Sequence, residues 1–256
     1  MSDIAVKEVT KGFVQDFEHF LRMNKKAANN TAVRYLRYLK NVMQYAIANK
    51  WATEDPFIGK RFKRTVADRE ALTEAELKRM MDLDLKDYPR VEAVRDTFVF
   101  CCFTGLAFCD IKSLKRSDIT TDADGRMWIR KHREKTGELS VIPLLDVPRR
   151  LIEKYRNHPK VMFEGVVLPV ISNQRLNAYL KEVADLAKIN RHLTSHIGRH
   201  TFATLSLSNH VPIESISKML GHSDIRTTQI YAKMQDKTVY EDMATMRQKF
   251  DCVMMN

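Results

Sequence analysis

His196, Ile197, Gly198 and Arg199 stand together in the last quarter of this 256-residue chain, followed by Leu220-Gly221-His222 and, nine residues past that histidine, by Tyr231. Two imidazoles, a guanidinium and a phenol at such spacings suit attack on a phosphodiester without a metal. The basic groups can neutralise and protonate phosphate oxygens. A phenol, whose ordinary pKa is about 10, becomes a nucleophile once it is hydrogen-bonded and oriented. Tyr231 is therefore the residue whose surroundings matter most.

The elements that must hold these groups are mostly helices. Thr73 with Glu76 fits a capping box, in which a hydroxyl and a carboxylate reciprocally satisfy exposed backbone donors, so a helix starts there. Val91 to Phe103 is largely apolar and long enough for a buried helix, ended by Thr104-Gly105. Arg126 to His132 and Leu139 to Leu144 read as two strands joined by the polar turn Arg133-Glu134-Lys135-Thr136-Gly137. Helical patterns return from Pro148 and continue to the end, including a segment Thr238 to Phe250 with Val239, Met243, Met246 and Phe250 on one side. His196 and Arg199 lie three apart, on one helical face.

Upstream of residue 59, two further helices are legible. One runs about Lys11 to Met23, with Phe13, Phe17, Phe20 and Leu21 on a face. The other runs about Thr31 to Ala48, with Leu36, Leu39, Met43 and Ile47 at helical spacing and Arg34, Arg37, Asn41 and Gln44 on another face. Asp55-Pro56 closes this block, and Gly59-Lys60-Arg61-Phe62-Lys63-Arg64 follows as a basic connector. The chain is thus expected to divide into residues 1–65 and 66–256.

A formal charge of +11 and a pI of 9.5 point to a polyanionic partner. Residues 1–65 hold thirteen Lys/Arg against six Asp/Glu, so the small block is the more basic per residue. That suits a helical module gripping a phosphate backbone through Arg34, Arg37, Lys40, Lys60, Arg61, Lys63 and Arg64, although a solvated helix face would read the same in isolation. No run of eighteen apolar residues and no basic start followed by an apolar stretch occurs, so neither a membrane span nor a secretory signal is indicated. The four cysteines, Cys101, Cys102, Cys109 and Cys252, form no CxxC pair and are not expected to form disulfides or a metal site. His196 and His200 are four apart as in a zinc-binding HExxH helix, but Ile197 stands where that pattern needs glutamate; His200 is read as a packing residue. No glycine-rich phosphate loop is present, which argues against a nucleotide-driven motor.

Thr104-Gly105-Leu106, Lys135-Thr136-Gly137 in a β-turn, His196-x-x-Arg199, Leu220-Gly221-His222 and Tyr231, in this order and spacing, resemble the catalytic domain of the tyrosine recombinase, or phage integrase, family. Cys102-Phe103-Thr104-Gly105-Leu106-Ala107 and Ser195-His196-Ile197-Gly198-Arg199-His200-Thr201-Phe202-Ala203 look most like integrases of bacterial conjugative transposons and prophages. The resemblance implies a mainly α fold: a small helical core-binding domain, then a mixed, mostly helical catalytic domain with a small antiparallel β-sheet. Nothing before Thr10 is long enough for the additional N-terminal arm-binding domain that such integrases often carry.

The activity so implied is metal- and ATP-independent cleavage and rejoining of DNA, integrating or excising a mobile element. Tyr231 attacks phosphorus to form a 3′-phosphotyrosyl link, Arg199 clamps the nonbridging oxygens and His222 donates a further hydrogen bond there. His196 orients Tyr231 or accepts its proton, and Lys135 protonates the departing 5′-oxygen, with Arg133 or Lys131 as the donor if the turn register differs. No cofactor or metal is implied. The implied partners are double-stranded DNA at attachment sites, three further subunits in a tetramer on paired sites, and accessory DNA-bending proteins, in the bacterial cytoplasm at the nucleoid.

One position departs from the family pattern. The motif after Thr104-Gly105-Leu106 usually supplies a second catalytic arginine, and here it is Ala107. A missing guanidinium removes roughly 2 to 4 kcal/mol of transition-state stabilisation. Arg95, just before the apolar run Thr97 to Phe103, is the candidate substitute, with Lys112 and Arg116 as weaker alternatives. Without a substitute the chain reads as a weakened or inactive DNA-binding relative; a type I topoisomerase would share similar chemistry.

Overall fold

The structure is a computed structural model that describes residues 3–65 and 70–231. The expected helix from Thr238 to Phe250, and Cys252, lie outside the described residues. The chain separates into two compact units, Met1–Asp68 and Arg69–Asn256.

In the first unit, helix α1 (Lys11–His19) starts where the Thr10 hydroxyl accepts from the Phe13 amide, and it loosens into a π turn over Phe20–Asn24. Helix α2 (Asn29–Ala48) buries Ala32, Val33, Leu36, Met43 and Ala46 at helical spacing. Of these, Ala32, Leu36 and Met43 pack with Val9, Val14, Leu21 and Phe57 into one small core, flanked by Phe13 and Phe17, whose rings stack 6.3 Å apart. The basic connector is pinned back on α2. Asn29 donates to the Lys63 carbonyl and the Thr65 hydroxyl, and Asn30 pairs with the Thr65 backbone in both directions.

The second unit opens with α3 (Glu74–Met81), capped by the expected Thr73–Glu76 box. Helix α4 (Pro89–Thr104) has proline in its first turn and ends on Gly105 at φ +66°. It is buried nearly all round, from Val91 to Thr104, as a central helix must be. Helix α5 (Phe108–Lys112) begins directly after Ala107. Strands β1 (Ile119–Thr121), β2 (Met127–His132) and β3 (Leu139–Pro143) form an antiparallel sheet in that order, with Ile119 opposite Ile129 and Ile129 opposite Ile142. The two expected strands are present; β1 is an addition, made by the Asp122-to-Gly125 turn, where Asp122 takes the Trp128 indole N–H.

Helices α6 (Asp146–Lys154), α7 (Pro159–Glu164) and α8 (Asn173–Leu186) follow, then α9 (Ser195–Ser208), α10 (Ile213–Leu220) and the short α11 (Arg226–Gln229). α4 packs against α6, α8 and α9, and α10 lies on β3. The contact with α9 is closest at Gly198, where an added Cβ would stand 2.7 Å from the Cys101 Cβ. The mainly α architecture with a small antiparallel sheet is the one expected from the sequence.

Candidate active site

Arg199 follows Gly198, so the close approach of α9 to α4 carries its guanidinium to the C-terminal end of α4. There Nη1 donates to the Gly105 carbonyl at 2.6 Å, and Nη2 donates to the Leu220 carbonyl at 2.7 Å. Three helices are thereby tied at one point: the end of α4, the middle of α9 and the end of α10. Gly105 makes this possible, since its left-handed backbone turns the carbonyl inward and a Cβ there would press within 2.8 Å of Leu220. Arg199 is only 3% exposed. Burial, and next the charge of Arg133, push its pKa down to about 10, which leaves it charged at neutral pH.

His222 reaches the same guanidinium, with Nε2 3.0 Å from Arg199 Nη2 and Nδ1 2.8 Å from the Thr228 hydroxyl. A guanidinium cannot accept a hydrogen bond. Nε2 must then be the acceptor, which assigns the proton to Nδ1, donated to Thr228. The expected His222 is thus in the site, oriented from behind by the buried Thr228.

Tyr231 packs beside Phe202, Ala203, Ile216 and Leu220, which brings it back over α9. Its hydroxyl lies 2.9 Å from Nδ1 of His200, and the rings are 5.3 Å apart. The packing role expected of His200 is therefore corrected: it is a direct partner of the phenol. The signal for it was present, because His200 is one turn beyond His196, and the two rings lie 5.2 Å apart on the same face. His196 is exposed beside this pair.

Lys135 lies exposed at the tip of the β2–β3 turn, whose form depends on Gly137 at φ +73° and on the Gly137 amide donating to Arg133 O. The turn is the one read from the sequence. Lys131 is taken up elsewhere, donating to the Ser113 carbonyl at 3.1 Å and pairing with Asp118 at 3.5 Å. Arg133 reaches the site: its Nη1 donates to the Gly221 carbonyl at 3.1 Å, one residue from the carbonyl that holds Arg199. Spacing alone could not show this approach, which depends on β3 lying against α10.

The expectation for Arg95 is overturned. Its guanidinium is buried, donates to the carbonyls of Met80, Met81 and Leu83 just beyond α3, and pairs with Asp96 and Glu92. At 1.5 Å per helical residue it also lies about 15 Å along α4 from the Gly105 that meets Arg199. Arg116 caps the carbonyl of Arg156. Of the basic residues of the first unit, Arg34, Arg37, Arg61, Lys63 and Arg64 are exposed and Lys40 half-buried, while Lys60 is paired with Glu18 at 2.6 Å. That ion pair counts against Lys60 as a phosphate contact. Among the described residues no group of three or more His, Cys, Asp or Glu is placed to hold a metal ion.

Residues 70–238 match the model of the phage integrase family, and residues 1–64 match that of the phage integrase SAM-like domain. Tyrosine recombinase XerD of Staphylococcus saprophyticus is 24% identical over 250 residues, covering 91% of this chain and 82% of the relative. Tyrosine recombinase XerA of Saccharolobus solfataricus is 30% identical over 219 residues, covering 83% of this chain and 66% of the relative. Among solved structures, the fold is shared with the Tn1549 transposon integrase (residues 82–397) in complex with circular intermediate DNA. There the TM-score is 0.71 and the identity 16%, over 94% of this chain and 86% of that one. A lambda integrase (residues 75–356) dimer bound to a COC′ core site gives a TM-score of 0.70 and 17% identity, over 90% and 82%.

Proposed function

The chain belongs to the phage integrase family, and from that premise we propose that it is a site-specific DNA recombinase acting through Tyr231. The observation that carries the assignment is the hydroxyl of Tyr231 held 2.9 Å from an imidazole nitrogen, next to a buried and still charged Arg199. The phenolic oxygen forms a bond to phosphorus, and the bond from phosphorus to the 5′-oxygen breaks. The phenolic proton passes to His200, with His196 beside it extending the path, and Lys135 gives a proton to the departing 5′-oxygen. Rejoining runs these steps backwards, which is why neither ATP nor a metal is required: the phosphotyrosyl bond keeps the energy of the bond it replaced.

Arg199 serves the charge on the nonbridging oxygens, and His222, accepting through Nε2, steadies its guanidinium until a phosphate takes up that donor. The Gly105 and Leu220 carbonyls hold the guanidinium in place before DNA arrives, so little reorganisation is needed as charge develops. Exposed Arg34, Arg37, Arg61, Lys63 and Arg64, with Lys40, give the first unit its attraction for duplex phosphates. The reading extends to a tetramer on paired attachment sites, assisted by DNA-bending proteins, and to integration or excision of a mobile element at the bacterial nucleoid. No helix among the described residues is long and apolar enough to cross a membrane.

The test is trapping. A nicked duplex carrying the attachment junction beside the chain's own gene should give a covalent adduct with the wild-type protein in EDTA and without ATP. Tyr231→Phe should give none. An adduct that survives Tyr231→Phe would remove Tyr231 as nucleophile.

A further inference from the structure

We propose that Arg133 is the second phosphate-clamping guanidinium of this site, delivered by the β2–β3 turn in place of the arginine that Ala107 lacks. The proposal rests on the recombinase reading above. It concerns how charge on the scissile phosphate is met, and it starts from what replaces Ala107 in space.

Ala107 stands immediately before α5 and offers only a methyl group. Three residues on, α5 presents Asp110, whose side chain is 1% exposed. One oxygen of Asp110 accepts from the Glu134 amide at 2.9 Å, which fixes the start of the turn. The other faces Nε of Arg133 at 3.6 Å, and among the described residues neither that oxygen nor that nitrogen has a hydrogen-bond partner. So the segment that lost its own arginine carries the carboxylate that aims another one.

The aim is toward Arg199. Arg133 donates to the carbonyl of Gly221 and Arg199 to that of Leu220, so successive peptide groups hold the two guanidiniums. Their proximity is also felt electrostatically, since Arg133 is second only to burial in lowering the pKa of Arg199. The glycine of Leu220-Gly221-His222 is shaped to this arrangement: at φ +59° a Cβ would lie 2.6 Å from the Arg133 Cδ and 2.6 Å from the Ser140 hydroxyl. Its role is to admit the Arg133 stem as well as to end α10.

Among the described residues, Asp110 pairs with Arg133 and also offsets the charge of Arg199, so positive charge stands in excess in a place where burying it is costly. A nonbridging phosphate oxygen would settle that excess. Arg133 fits this role and not that of the leaving-group acid, because a guanidinium does not release its proton under these conditions. Lys135, two residues along the same turn, stays with the 5′-oxygen.

The experiment compares two nicked duplexes of the same attachment junction, one with an ordinary scissile phosphodiester and one with a neutral methylphosphonate. A guanidinium that neutralises a nonbridging oxygen matters for the first and little for the second. For Arg133→Ala, the ratio of the diester to the methylphosphonate cleavage rate should fall roughly a hundredfold below wild type, with Arg133→Lys between. Each ratio is taken within one preparation, so loss of folded protein cancels. An unchanged ratio would overturn the proposal, and a wild-type chain that forms no Tyr231-dependent adduct would instead overturn the recombinase reading.

Discussion

Helix α4 meets two buried arginines, one of its own and one from α9, and the two are settled in opposite ways. Arg95, in its first half, donates to the carbonyls of Met80, Met81 and Leu83. Arg199 comes from α9 to its far end and donates to those of Gly105 and Leu220. Both are buried and both tie helix ends together. Around Arg95, however, stand Asp96 and Glu92, and Asp96 is further held by Lys154 and by the Tyr155 hydroxyl at 2.7 Å. Around Arg199 stand Arg133, His222 and Tyr231, with Asp110 serving both arginines. Burial alone does not mark a functional arginine. Among the described residues, what sets Arg199 apart is positive charge beyond what the single carboxylate Asp110 balances, an excess that a bound phosphate would meet.

Exchanging each arginine for glutamine should separate these roles most strongly. Arg199→Gln is expected to cut cleavage of nicked attachment DNA about a thousandfold, because the group acts where charge develops, and to cost about 1 to 3 kcal/mol of stability through the Gly105 and Leu220 carbonyls it leaves unsatisfied. Arg95→Gln leaves Asp96 Oδ1 and the carbonyls of Met80, Met81 and Leu83 without their donor and should cost about 3 to 5 kcal/mol of stability in a denaturant titration. Its cleavage rate per folded molecule should stay within about threefold of wild type. If Arg95→Gln lost cleavage without losing stability, the contrast between the two arginines would be wrong.

The two tyrosines repeat the contrast on a smaller scale. Burial first, and then Asp96, raise the pKa of Tyr155 well above the ordinary phenol range, so it stays a donor to a carboxylate. Tyr231 meets an imidazole instead. Tyr155→Phe should cost about 1 to 3 kcal/mol and spare cleavage. An acid whose folded pKa is raised contributes stability that is complete below its unfolded pKa, about 10, and is lost as pH rises toward the folded value. The stability gap between wild type and Tyr155→Phe should therefore be constant from pH 7 to 9 and shrink from pH 10 upward. A gap that widened there would reverse the sign.

How much of this was legible in the chain depends on how local each cause is. Thr73 with Glu76, the apolar run of α4 and the turn at Gly137 act over a few residues, and each element formed where its residues said. Arg199, His222 and Tyr231 were legible as spacing, since the helix–glycine–helix path between them is short. The partner of the phenol was not, because it depends on where residue 231 comes back over α9. Arg95 was misread for a related reason. Its neighbour Asp96 was visible, but the three carbonyls that consume its guanidinium come from residues 12 to 15 positions earlier, at a helix end whose direction no periodicity reveals. β1, at three residues, is too short to show alternation.

The smallest expected effect is also the most direct measure of unsettled charge. If the Arg199 end lacks a counter-ion, a tetrahedral dianion should bind there without DNA, and binding to the folded state alone stabilises it by mass action. Sulfate at ten times its dissociation constant contributes about 1.4 kcal/mol, which for a protein of this size is about 3 to 6 °C in Tm. Sulfate also stabilises folded proteins generally, by exclusion from their surface. The informative quantity is therefore the rise in sulfate minus the rise in chloride at equal ionic strength, compared between variants. Arg95→Gln should keep the whole increment, since the guanidinium it removes is already paired with Asp96 and Glu92. Arg199→Gln should lose it, and Arg133→Ala should lose part. An equal increment in all of them would mean that the positive end of α4 holds no anion of its own, and that its charge matters only once DNA is in place.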